Sequence, residues 1–73
     1  MASEILEVPI TGKMLEIKVA VGSQVKEGDI ICTLESMKME NPILSPVSGI
    51  IKEIRVSPAQ VVKAGEVIAI IEY

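Results

Sequence analysis

Apolar and polar residues alternate in short stretches along this chain, and the stretches come in two copies. Glu16-Ile17-Lys18-Val19 alternates strictly, and so does Glu53-Ile54-Arg55-Val56. That is the pattern of a strand with one wet face. Ile30 to Leu34 and Val67 to Ile71 are almost continuously apolar, which predicts strands buried on both sides. Lys26-Glu27-Gly28-Asp29 and Lys63-Ala64-Gly65-Glu66 are polar turns leading into those runs. The Pro9-x-x-Gly12 and Pro46-x-x-Gly49 steps read as turns too, with proline fixing φ and glycine supplying a positive φ. No window has helical spacing with caps, and the runs are too short and too β-branched for helices.

Sliding the sequence by 37 residues, which takes Gly12 onto Gly49, aligns these copies without a gap. Val25-Lys26-x-Gly28-Asp29-Ile30-Ile31 then falls on Val62-Lys63-x-Gly65-Glu66-Val67-Ile68, and Leu34-Glu35 on Ile71-Glu72. Each copy reads as strand, turn, strand, turn, strand. Two such units can bury their apolar faces only against each other. The expectation is an all-β fold, a flattened barrel or sandwich of two quasi-symmetric halves, forming a single domain over residues 1–73.

Composition narrows what this fold can do. The net charge is −3, with no basic patch and Tyr73 as the one aromatic residue, so nucleic acid is a poor partner. No apolar run approaches the roughly 20 residues of a membrane span, so direct membrane insertion is not expected. Histidine is absent, which removes the commonest acid–base catalyst and the usual zinc patterns. Cys32 is the one cysteine and lies in an apolar run, where it reads as a small inert hydrophobe. The carboxylates are scattered singly. The chain is expected to carry a reactive group and not to make one. The lone thiol, with an N-terminus lacking a signal peptide's charged and apolar regions, gives a reducing, cytoplasmic setting as the expectation.

The seam between the copies is Ser36-Met37-Lys38-Met39-Glu40-Asn41-Pro42. It joins adjacent strands directly, so it should be a tight hairpin with Lys38 near its tip. At strand period Met37 and Met39 would share one side, anchoring the turn against the body, with Lys38 held outward. By itself this pattern also fits an ordinary solvated lysine beside gap-filling methionines.

Glu35-Ser36-Met37-Lys38-Met39-Glu40, set at the centre of a repeat, resembles the attachment motif of biotin carboxyl carrier domains, members of the biotin/lipoyl attachment family. The likeness extends over Glu7 to Glu72 and takes in the Gly28-Asp29 and Gly65-Glu66 turns and the stretch from Asn41 through Ser45-Pro46 to Gly49. It implies the barrel-sandwich hybrid fold, with the modified lysine on the hairpin between the halves. It implies further that a biotin protein ligase joins biotin to the Lys38 ε-amine, and that the arm shuttles carboxybiotin between a biotin carboxylase and a carboxyltransferase or decarboxylase. Lysine amines are mostly protonated at neutral pH, so the ligase must help remove the proton. Met37 and Met39 would be read by the ligase, as would Glu35 and Glu40. Two departures stand out. Ser36 takes a place where the family most often has alanine, and Ala20-Val21-Gly22-Ser23-Gln24 is too short for the thumb that some members insert there.

Two rivals differ in class or cargo. A lipoyl carrier would typically show Asp-Lys-Ala at the tip. An unmodified barrel-sandwich interaction module would usually interrupt this hairpin with a long helical insertion.

Overall fold

The computed structural model describes residues 1–73 and contains eight β-strands and no helix. They are β1 Ser3–Glu7, β2 Gly12–Ile17, β3 Gln24–Val25, β4 Ile30–Ser36, β5 Met39–Leu44, β6 Gly49–Ile54, β7 Val61–Val62 and β8 Val67–Glu72. One antiparallel sheet runs β1-β8-β6-β3 and the other β5-β4-β2-β7. Adding 37 carries β2 onto β6 and β3 onto β7 and exchanges the two sheets. The all-β, two-halved architecture read from the sequence is therefore the one observed. Each half has four strands where the sequence pattern gave three. The two-residue strand before each glycine turn, β3 or β7, is the addition.

The repeat extends to individual backbone bonds. Gly28 N–H donates to the Ser45 carbonyl at 2.8 Å, and Gly65 N–H to the Val8 carbonyl at 2.9 Å. Both glycines have φ near +90° (92° and 94°), a conformation that side chains disfavour. Lys26 N–H donates to the Asp29 carboxylate and Lys63 N–H to the Glu66 carboxylate, at 2.8 and 2.9 Å. Each acidic residue thus ties its own turn.

The core is almost wholly aliphatic. Val8, Met14, Val25, Ile31, Cys32, Leu34 and Ile43 meet Ile51, Val56, Val62, Ile68, Ala69 and Ile71 between the sheets. The apolar runs have a different cause from the one expected. They are not buried on both sides, since Ile30 is exposed and Thr33 half-exposed. Instead Ile31 and Ile68 are extra residues in their strands. Ile30 pairs with Leu44 but Cys32 with Ile43, and Val67 pairs with Glu7 but Ala69 with Leu6. Such a β-bulge breaks the alternation, so Ile31-Cys32 and Ile68-Ala69 each turn two successive side chains inward.

Gly12 and Gly49 also depart from expectation. Neither has a positive φ; each opens a strand. Glycine is required there because a Cβ would collide with the carbonyl of Glu35 or of Glu72 from the strand alongside.

Candidate functional site

The body measures 36 × 18 × 16 Å, and β4 runs along its length. Its first residue lies beside the Gly28–Ser45 bond, near where Val25 pairs with Gly49. Six residues later, roughly 20 Å on at about 3.3 Å per residue, it ends at Ser36, which pairs with Met39. Only Met37 and Lys38 lie between.

These two residues form the turn. Their φ values are +54° and +63°. Positive φ at both central positions marks a type I′ turn, whose twist matches that of the strands it joins. Asn-Gly is the usual choice because each ordinary residue in the left-handed region costs about 1 kcal/mol or more. Met-Lys here works against local preference, and unfavourable backbone of this kind gathers at functional sites. The flanking ladder holds the turn in place. Asn41 Nδ2 lies 3.3 Å from the Met39 carbonyl and 3.5 Å from that of Leu34. Ser36 Oγ donates to the Thr11 carbonyl at 3.0 Å, tying the foot of the hairpin to the β1–β2 loop. The carbonyl of Glu35 occupies the space that a Gly12 Cβ would need.

Lys38 is exposed and takes part in none of the chain's ion pairs, which join Lys18 to Glu16, Lys52 to Glu72 and Arg55 to Glu53. The methionines do not anchor the turn against the body. Met37 is 86% exposed and Met39 66%. With Met37 and Lys38 both in the left-handed region, strand alternation no longer governs which way they point, and the hairpin extends past the core. Glu35 and Glu40 stand directly opposite each other across β4 and β5, with Lys13 on the far side of Glu35. Both carboxylates are exposed, so their cross-strand repulsion is a few tenths of a kcal/mol. Gly12, Thr11 and Asn41 were not read from the sequence as parts of this site. The Asn41 and Ser36 bonds depend on a register that patterning does not fix.

An exposed primary amine at the end of a two-residue turn suits covalent attachment of a group that other proteins must reach.

A family profile described as "Biotin-requiring enzyme" matches residues 2–71. Over 44 residues, 60% of the chain, it is 41% identical to the gamma subunit of methylmalonyl-CoA decarboxylase from Veillonella parvula, covering 34% of that protein. Over 43 residues, 59% of the chain, it is 42% identical to the biotinylated protein TB7.3 homolog of Mycobacterium leprae, covering 61% of it. The crystal structure of Kluyveromyces lactis urea carboxylase superposes with a TM-score of 0.90 at 30% identity, over 99% of this chain and 6% of that one. The chain thus spans less than two thirds of each of these proteins. With the family matched from end to end and the barrel-sandwich architecture shared, the chain belongs to the biotin-requiring family, as a carrier domain of the kind found in biotin-dependent carboxylases and decarboxylases.

Proposed function

We propose that the Lys38 ε-amine is the attachment point of biotin, and that residues 1–73 act as one non-catalytic domain that presents it to successive enzymes. The observation that carries this reading is the left-handed Met37-Lys38 turn, which sets an unpaired amine at one end of a 36 Å body. Biotin, when bound, supplies a place to hold a carboxyl group in transit.

The protein's own residues provide presentation and reach. Met37 and Met39 offer an apolar collar around Lys38, and Glu35 and Glu40 an acidic ledge below it. We assign both to recognition by a biotin protein ligase. Amide formation removes one positive charge, so the loaded form is one unit more negative than −3. The anchored arm confines its cargo near its partners, raising the effective concentration there. Those partners are a biotin carboxylase and a carboxyltransferase or decarboxylase, where bonds are made and broken. A reducing, cytoplasmic setting belongs to the same reading and rests on the lone buried thiol of Cys32.

Intact mass after co-expression with a biotin ligase tests it. The wild type gains one biotin-sized adduct. Lys38→Arg keeps its fold by circular dichroism and loses the adduct and all streptavidin signal. Residual signal in that variant would assign biotin to another lysine. An adduct of lipoyl size would replace the cargo.

A further inference from the structure

The chain holds five sulfur atoms, in four methionines and one cysteine, and the fold sorts them sharply. Met14 and Cys32 are fully buried between the sheets. Burial also pushes the Cys32 thiol up to about 11, so little of it is the reactive thiolate at neutral pH. Met1 lies exposed at the far end of the molecule, next to the Ala2–Tyr73 pair. The remaining two, Met37 and Met39, are exposed on either side of Lys38.

The fold does not require them there. Met39 corresponds through the repeat to Ala2, which forms the same two-way backbone pair with Tyr73 that closes the other end of the body. Methionine at the tip serves what approaches the tip. Its thioether is apolar and adaptable, so it gives an incoming surface a soft contact. The same exposure leaves it open to oxidation, which converts an apolar side chain into a polar one.

We propose that Met37 and Met39 form a methionine sulfoxide modification site that controls recognition of Lys38. A hydroperoxide transfers one oxygen to each thioether. Its O–O bond breaks, a sulfur–oxygen bond forms, the sulfur is oxidised by two electrons and the peroxide leaves as water or an alcohol. Methionine sulfoxide reductases reverse the step, with a dithiol as reductant that ends as a disulfide and water. Two polar sulfoxides in place of the apolar collar slow loading of the lysine. Buried Met14 is spared, so the body keeps its packing. The proposal rests on the assignment of Lys38 as the biotin acceptor.

The test uses the unbiotinylated chain, treated with dilute hydrogen peroxide and mapped by peptide mass spectrometry. Met37 and Met39 gain one oxygen each well before Met14 does. The oxidised chain is then biotinylated by purified ligase at least fivefold more slowly than the untreated chain, and incubation with both sulfoxide reductases and a dithiol restores the rate. A Met37→Leu/Met39→Leu variant, whatever its own starting rate, shows no change on peroxide treatment, which separates the tip from Met1. An unchanged rate with both sulfoxides fully formed overturns the proposal. So does oxidation of Met14 in step with the pair, or equal slowing of the leucine variant. Failure of the untreated chain to take biotin at all overturns the acceptor assignment instead, and the oxidation map remains readable in that case.

Discussion

The two ends of this molecule are built to one plan and differ in what the chain does there. At one end β4 and β5 are joined by the Met37-Lys38 turn. At the other, β8 and β1 occupy the equivalent places, and Ala2 and Tyr73 exchange both backbone bonds, at 2.8 and 2.9 Å. Gly12 makes room for the Glu35 carbonyl at the first end and Gly49 for the Glu72 carbonyl at the second. Whatever both ends share is therefore needed for folding. What is confined to one end is what the proposed function uses: a left-handed turn without glycine, an unpaired lysine and the two methionines that flank it.

The glycines test this division with the largest expected effect. Gly12→Ala and Gly49→Ala each drive a methyl group into a backbone carbonyl that cannot move aside cheaply. Overpacking of this kind costs about 1–3 kcal/mol, occasionally more, and the two variants should lose similar amounts in urea unfolding. They should part in function. Gly12→Ala displaces the foot of the hairpin and slows biotinylation of the still-folded fraction, whereas Gly49→Ala leaves that rate near wild type. Equal slowing would show that the two ends are mechanically coupled.

Next in size is the core position where the halves differ in chemistry. Cys32 and Ala69 are equivalent, and both are fully buried behind a bulge. The Cys32 thiol is raised from 9.0 to about 11 by desolvation. A group that ionises less readily when folded stabilises the fold below its unfolded pKa and loses that contribution as pH rises through the folded one. The window is therefore about pH 9 to 11, and at about 1.4 kcal/mol per unit the loss is of order 2 kcal/mol. Cys32→Ala should cost about 1 kcal/mol at pH 7 through a small cavity. It should equal or exceed the wild type in stability at pH 11. Parallel unfolding curves for the two proteins across that range would remove the desolvated thiol as the cause.

A smaller effect of opposite sign comes from the loops that precede β3 and β7. Gly22 and Ala59 are equivalent, with φ of +93° and +68°, and each donates its N–H to a core strand carbonyl, of Ile51 and Met14 respectively. Alanine carries the left-handed penalty that glycine escapes. Ala59→Gly should gain about 0.5–1 kcal/mol and Gly22→Ala lose about as much, both read as a shift in thermal midpoint. A loss in both would mean that the two loops, alike in backbone, differ in packing.

Much of this was legible in the sequence because the repeat states each structural requirement twice. Val25 through Ile31 and Val62 through Ile68 predict matching turn–strand units, and the seam at Lys38 follows from their spacing. Three things were not legible. The bulges at Ile31 and Ile68 depend on register across two sheets, and a continuous apolar run disguises them as two-sided burial. Gly12 and Gly49 follow turn-like prolines, yet what they serve is a carbonyl of the strand alongside, named by no local signal. The outward placement of Met37 and Met39 depends on a left-handed pair of residues that propensity argues against, so strand alternation assigned them to the body.

Ser36 gives the smallest expected effect and bears most directly on which parts of the tip are read by a partner. Its counterpart at the other end is Tyr73, whose hydroxyl lies at the tip of the ring and not on Cβ, so the repeat does not require a serine-type hydroxyl there. In this chain the hydroxyl donates to the Thr11 carbonyl at 3.0 Å in an exposed position. Water can replace a bond of that kind, so Ser36→Ala should cost less than about 1 kcal/mol. If the hydroxyl acts only on the hairpin foot, the biotinylation rate stays within about twofold of wild type, since the Asn41 contacts and the backbone pairing of residue 36 with Met39 still hold the turn. A tenfold fall at unchanged stability would show that the ligase reads the hydroxyl itself. Recognition would then begin on the strand below the turn, and the functional end would have to be redrawn to include it.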